Sequence, residues 1–540
     1  QNKLLVAIGM GIFQKIFNRK RKPVKDKPET YEVKEQLQLH SDIGANFSVV
    51  KKAFGSSNDV ITGEIILDPS SSFKVGFIYL EGMADTAIIQ EKIKQSLLMK
   101  SKDIQQQLNI PLIDHFEMIK NHIPAIGETK PIHDFSALYK SILSGETVIL
   151  VEGYEYGFAA NTTGGSKRAV EEPTTQSVVR GPREGFTESL DTNISLIRKR
   201  IKTPNLWLET LVIGEVTQTN VGIMFINGIV NDKIVEEVRI RLARIEIDGI
   251  LESGNIEELI QDETFTPFPT LYNSERPDVI AAGLLEGRIA ILVDGTPFVL
   301  LAPALFVQFY QSAEDYYQRA EFATLIRILR YVCFFISLLA PSLYIAVTTF
   351  HQELLPSSLL FSLAAQREGI PFPAFIEALI MEITFEILRE AGVRLPKTVG
   401  QAVSIVGALV IGQAAVEAGL VSPAMVIVVA ITAISNFVIP SFNMGISIRI
   451  LRFILMIFAA TFGLFGVTVG LIATVQHLCS LRSFGIPYMS PMAPFNLQDQ
   501  KDTILRLPQW ALFSRPRFIS KKNMIRENNA PTTKPERKDK

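Results

Sequence analysis

"GRIAILVDGTPFVLLAPALF", residues 287–306, is the stretch whose reading decides the architecture. It is a long apolar run with one acidic residue, Asp294, near its middle. As a first membrane span it would end the water-soluble part of the chain here. As a β-hairpin it would carry that part on to Leu301.

An internal repeat favours the hairpin. "GETVILVEG" (145–153) matches "GRIAILVDG" (287–295) at Gly145/Gly287, Ile149/Ile291, Leu150/Leu292, Val151/Val293 and Gly153/Gly295, an offset of 142 residues. "KVGFIYLEG" (74–82) resembles "NVGIMFING" (220–228) through Val75/Val221, Gly76/Gly222 and Gly82/Gly228, an offset of 146. Nearly equal offsets describe two copies of one domain in the same element order. In the first copy the turn is followed by "YEYGFAANTTGGSKR" (154–168), which is too polar for a bilayer. By the repeat, Arg288–Leu301 is then a hairpin too, with Asp294 and Gly295 as turn residues and Pro297 marking its second strand as a sheet edge.

Each copy reads as an apolar strand ending at glycine, a helical pattern ("DTAIIQEKIKQSLLMK" or "NDKIVEEVRIRLARIEI"), a further short helix and a closing hairpin. This predicts two duplicated mixed α/β subdomains, each a mixed sheet layered with helices, at 61–170 and 210–310. Between them, 171–209 reads as a Pro/Gly/Thr-rich linker leading into a capped basic helix, "TNISLIRKRI". Residues 1–60 read as a basic, flexible extension. Its short apolar stretch Leu4–Phe17 precedes Arg19, Lys20, Arg21 and Lys22, the reverse of a secretory signal.

Beyond residue 325 the composition changes. Uncharged stretches run from Tyr331 to Phe350, Thr398 to Val416, Ala418 to Ile448 and Phe453 to Gln476. Their lengths suit membrane helices, so 325–480 reads as an all-α polytopic membrane domain with four to five spans. Five spans would put the basic, partly disordered tail 481–540 opposite the soluble half, and four would put both on one side. The basic tail favours four. The two cysteines, Cys333 and Cys479, build no disulfide framework.

Chemical motifs are sparse. "NTTGGSKR" lacks phosphate-loop spacing, the six histidines lack metal-ligand spacing, and no hydrolase or kinase signature occurs. The expectation is a protein that is not an enzyme, with no catalytic, cofactor-binding or metal residues and no nucleic-acid partner. The informative segment is "PFPAFIEALIMEITFEILREAGVRLPK" (371–397). At helical spacing, Glu382, Glu386, Glu390 and Arg389 share one side, and Glu377 stands off it. Ionisable groups at membrane depth face a water-filled path or each other, and repeated around an oligomer they would form acidic rings that admit cations. Glu417 is a further candidate for that path. Small residues at Ser404, Ala408 and Gly412, and at Gly466 and Gly470, are candidate helix-packing positions.

Longer motifs carry a resemblance. "EEPTTQSVVRGPREGF" (171–186), "TNISLIRKRIKTP" (192–204), "SERPD" (274–278), "EGRIAILVDGTPFVLLAP" (286–303), "EALIMEITFEILREAGVRLP" (377–396), "VGALVIGQAAVEAGLVSP" (406–423) and "SFGIPYMSP" (483–491) closely resemble the A subunits of spore germinant receptors, the GerA family. The resemblance covers about residues 70–510. It implies a multi-pass protein of the spore inner membrane with cytoplasmic N-terminal domains. It further implies a complex with a B subunit resembling amino-acid transporters and a C-subunit lipoprotein, and an A-subunit oligomer that conducts cations or transduces nutrient sensing into germination. The alternative is a non-conducting scaffold that holds the nutrient-binding B subunit in the membrane lipid.

Overall fold

The computed structural model describes residues 37–68, 73–95, 129–164, 171–173, 175–394, 411–497, 499–520 and 522–526. The basic N-terminal cluster and the candidates Ser404 and Ala408 lie outside them.

The first domain comprises α1 (Ile43–Ala53), β1 (Val60–Asp68), β2 (Phe73–Leu80), β3 (Thr129–Ile132), α2 (Phe135–Ile142), β4 (Thr147–Val151) and β5 (Gly157–Ala160). The second repeats it with α3 (Leu190–Arg200), β6 (Leu206–Ile213), β7 (Thr219–Ile226), α4 (Asp232–Ala243), α5 (Ser253–Ile260), β8 (Tyr272–Ser274), α6 (Pro277–Leu285), β9 (Ile289–Val293) and β10 (Val299–Ala302). The strand orders, β1-β2-β4-β5-β3 and β6-β7-β9-β10-β8, are the same. So is the register: Val75 faces Val151 and Gly76 faces Leu150 in one copy, and Val221 faces Val293 and Gly222 faces Leu292 in the other.

Residues 287–302 are a hairpin, with Leu300 opposite Ile291 and Ala302 opposite Ile289. Gly295 at φ +93° and its counterpart Gly153 at φ +86° take the left-handed conformation the turns need. The acid before each glycine does more than turn the chain: Asp294 Oδ1 accepts the backbone N–H of Leu190 at 3.0 Å, and Glu152 Oε2 that of Ile43 at 3.2 Å. Each closing hairpin thereby caps the first helix of its own domain.

Three expectations change. The sheets are antiparallel throughout, not mixed. Strand β10 is not an edge, because the short β8 pairs with its outer side, and Pro297 lies in the turn before the paired residues. The domain boundaries also move upstream. Helix α1, assigned to the flexible extension, buries Ile43, Phe47 and Val50 in the first core, and α3, assigned to the linker, is the equivalent first element of the second.

Helical rods follow: α7 (Ala320–Thr349), α8 (Ser357–Arg367), α9 (Ala374–Arg394), α10 (411–417 among the described residues), α11 (Pro423–Phe437) and α12 (Phe442–Ser480). Helices α7 and α12 are long and apolar enough to cross a membrane. The uncharged stretches do not map one-to-one onto rods. The run 418–448 breaks at 438–441, where Ser441 caps a new helix, so it holds the 15-residue α11 and the start of α12. The run 453–476 is not one rod either. At Gly463 the backbone leaves helical geometry (φ 61°, ψ −141°) and α12 doubles back. A methyl on Gly466 would lie 2.2 Å from the Phe458 carbonyl, and one on Gly470 would lie 2.5 Å from Leu455. In a straight rod residues eight apart are about 12 Å apart along the axis, so Gly466 and Gly470 belong to a leg running antiparallel to the first. Both feet of this hairpin reach the same loop: Ser447 Oγ donates to the Pro267 carbonyl, and His477 Nε2 lies 2.9 Å from Thr266 Oγ1.

The tail after α12 returns to the second domain. Tyr488 accepts the backbone N–H of Phe306 at 2.9 Å, Ser483 Oγ donates to Thr270 O, and Arg515 Nε donates to Leu285 O. At the base of α7, Asp315 pairs with Arg327 and Arg330 at 2.8 Å each, and Arg327 also holds the tail's Asp502 at 2.7 Å. Soluble half and tail therefore share one face of the helical bundle.

Candidate functional site

Helix α9 opens just after the Pro371/Pro373 pair and crosses the bundle with a carboxylate at nearly every turn. At its far end Glu377 is fully buried. Its Oε1 accepts the backbone N–H of Ser422 at 2.5 Å and also the Ser422 hydroxyl, and that hydroxyl in turn caps α11 at Met425. Tyr344 of α7 reaches the same hydroxyl at 3.3 Å. The sequence pattern set Glu377 aside as lying off the acidic stripe, yet it ties three rods together. The signal that could have found it is "SP" at 422–423, a helix-start pair whose first-turn N–H groups welcome an anion.

In the middle of α9, Glu382 is fully buried beside Arg452 of α12, itself 1 % exposed, with Arg452 Nη2 at 2.8 Å in ionic contact. Glu386 accepts from Arg449 Nη1 and lies 3.4 Å from Arg452 Nη2. Neither arginine was among the sequence-level candidates, since both lie on another helix. A carboxylate buried in such surroundings is tolerable only with a partner of opposite charge, and here that partner comes from the same chain.

One turn further on, Arg389 stands with its guanidinium 5.4 Å from the Phe437 ring and 5.7 Å from the Phe442 ring. Glu390 is exposed and pairs with Arg394 at 2.5 Å. Glu417 is exposed at the end of α10, where Gln413 donates to it at 2.9 Å. The four candidate glutamates thus separate into two enclosed by arginines and two facing outward. Gly412 is buried against Val426 of α11, while Gly466 and Gly470 let the two legs of α12 approach within one chain.

Two copies of an antiparallel α/β domain thus lead into a helical bundle that has a charge-paired helix and two helices long and apolar enough to cross a membrane. The chain belongs to the Bacillus/Clostridium GerA spore germination protein family, whose model matches residues 48–518. It is similar to Spore germination protein KA of Bacillus subtilis (strain 168), 51% identical over 504 residues that cover 93% of this chain and 91% of the relative. Spore germination protein GerLA of Bacillus cereus is 39% identical over 487 residues, 90% of this chain and 97% of that one. Spore germination protein A1 of B. subtilis (strain 168) is 38% identical over 498 residues, 92% and 100% of the two chains. Among solved structures, the N-terminal domain of the A subunit of the Bacillus megaterium spore germinant receptor GerK3 is 40% identical, covers 51% of this chain and all of that one, and superposes with a TM-score of 0.41.

Proposed function

We propose that this chain is the A-type subunit of a nutrient receptor in the spore inner membrane, and that it assembles with copies of itself around a cation path. The observation that carries the receptor reading is the near full-length similarity to spore germination protein KA. In this reading α7 and the two legs of α12 cross the bilayer, and α9 and α11 pack beside them within it. The soluble half and the basic tail meet at one end of the bundle, which supports placing both on the cytoplasmic side. A B subunit resembling amino-acid transporters and a C-subunit lipoprotein complete the complex. Nutrient bound on the partner opens the oligomer only by favouring the open arrangement, since equal affinity for both states would shift nothing.

The ion path is assigned to α9 and the adjacent end of α10. Glu390 and Glu417 are outward-facing and available to an oligomer axis. Arg452 lies 2.8 Å from Glu382 and 3.4 Å from Glu386, so a small shift of α9 against α12 would transfer it between carboxylates and free one of them. Conductance of the purified complex in liposomes tests this. Glu382→Gln, Glu386→Gln and Glu390→Gln should each change cation selectivity or block ion release while the complex still assembles. Unchanged selectivity and release in all three would remove the assignment.

One observation favours a second reading, a non-conducting scaffold that holds the B subunit: Glu382 and Glu386 are already neutralised within the chain. Absence of conductance in every lipid and partner combination would select it.

A further inference from the structure

A cavity of about 530 Å³ lies where the second α/β domain meets the near ends of α9, α11 and α12. Its walls include Arg276, Arg330, Arg389, Asn436, Ser441 and Phe442. We propose that it is an anion site, and that its ligand is a phosphate group held between the soluble half and the helical half.

The charge around it is unbalanced. Arg389, Arg449 and Arg452 cluster on adjoining turns of α9 and α12, and among the described residues the carboxylates paired in this cluster are Glu382 and Glu386, both taken by Arg449 and Arg452. Arg389 is left with two aromatic faces, and its Nη1 is buried without a hydrogen-bond partner. A guanidinium so placed keeps its charge and wants an acceptor of opposite sign.

Other walls of the cavity add polar atoms without partners, although the charge of Arg276 is balanced by Asp278. Arg276 is 2 % exposed, and three of its contacts are fixed: Nη1 to Gln176 O, and Nη2 to Pro182 O and to Asp278. Its Nε remains buried and unpartnered. Asn436, 5 % exposed, has an unpartnered amide oxygen, and a half-turn of that amide presents two donors instead. On the helical side, the N-terminus of α12 opens on the cavity at Ser441 and Phe442, adding the positive end of a helix dipole. The acid lining the cavity, Glu314, already accepts the backbone N–H groups of Val179 and Arg180.

Two sources could supply the phosphate: a free phosphate species, or the headgroup of an anionic lipid whose chains lie beside α9 and α11. The site goes beyond the channel reading and does not depend on it. Only the lipid source requires that the bundle sit in a bilayer. Occupancy would link Arg276 of the soluble domain to Arg389 of α9, so a ligand here would hold the two halves in this arrangement.

The full-length protein in nanodiscs of phosphatidylcholine alone, or with phosphatidylglycerol, or with inorganic phosphate added, provides the test. The readouts are thermal unfolding and native mass spectrometry of retained lipid. Retention of phosphatidylglycerol with a raised melting temperature identifies the headgroup; a rise with inorganic phosphate alone identifies a free species. Arg389→Gln should weaken whichever is bound by about ten- to a hundredfold, the loss of a charge-assisted contact. Asn436→Asp, nearly isosteric, places a negative charge in the site and should weaken it comparably if Arg389→Gln does not fold. The proposal is overturned if neither probe stabilises the wild type, or if both variants bind within about twofold of it.

Discussion

The two α/β copies share strand order, register, capped first helix and hairpin turn, yet among the described residues it is the second that is tied to the helices. Strand β5 of the first copy runs on into the polar "NTTGG". Strand β10 of the second runs on into "PALFVQFY", every residue of which from Ala304 to Tyr310 is buried. Phe306 meets Phe334 of α7 and Tyr488 of the tail, and Tyr310 stacks on Tyr331 at 4.8 Å. The same contrast appears in the first helices. Lys51 of α1 is exposed, whereas its counterpart Arg198 of α3 is 1 % exposed and grips Asp59 of the first copy with two nitrogens, Nε at 2.5 Å and Nη2 at 2.8 Å. Duplication supplied a scaffold twice; substitution turned one copy into a connector between the other copy, the bundle and the tail.

That asymmetry can be broken where it is strongest. Asp315→Asn should leave Arg330 without its buried carboxylate and Arg327 with Asp502 alone, and cost about 3 kcal/mol, the low end of the usual penalty for orphaning a buried charge. Limited proteolysis should then cut the tail first; an unaltered digestion pattern would show that the connector does not depend on this acid.

A comparable loss follows from the interdomain pair. Arg198→Ala is expected to destabilise the protein by about 3 kcal/mol, and Lys51→Ala at the matching position by less than about 0.5 kcal/mol. Denaturant unfolding of both variants measures the difference, and equal losses would erase the proposed specialisation.

The shared features should respond alike. Asn46 Oδ1 accepts the N–H of His40 at 2.9 Å, and Asn193 Oδ1 that of Thr187 at 2.8 Å, while each amide donates back to the same residue's carbonyl. Asn46→Ala and Asn193→Ala should each cost about 1–2 kcal/mol. Losses differing by more than about 1 kcal/mol would mean that one copy has drifted from the common design.

The smallest effect concerns pH. In the second copy, burial pushes the Glu257 carboxyl up to about 7, helped by nearby Glu252 and opposed by a hydrogen bond with Asn273. The folded state holds its proton more tightly than the unfolded state, so this group's stability contribution is full below about pH 4.5 and is lost as pH rises through 7. Glu257→Gln should therefore raise stability at pH 8 by roughly 1 kcal/mol and change it little at pH 4.5. A variant whose melting temperature shows the wild-type pH dependence would count against the shift.

Much of this was legible in the sequence. The offsets of 146 and 142 residues are the registers of β2/β7 and β4/β9, because paired strands cannot slip without exposing a core face. A third offset was present but unread: "NFSVVKK" (46–52) against "NISLIRK" (193–199), which places α1 in the first domain and α3 in the second. The glutamate stripe was visible, but not its fate. Periodicity says which residues share a face, and only the return of α12 says that Arg449 and Arg452 meet it. The doubling of α12 was hidden too, since hydropathy is blind to direction and "GLFG" at 463–466 resembles many packing motifs.

The hairpin of α12 has a mechanical meaning. Both of its feet stand on the loop at Thr266–Phe268, and its tip at Gly463 abuts His351 at the far end of α7. Two legs fixed to one pivot cannot slide past each other, so they tilt together as a lever roughly 25 Å long. A few degrees of rotation in the second domain would reach the opposite end of the bundle as a displacement of about one or two ångströms, and Arg449 and Arg452 ride on the outgoing arm.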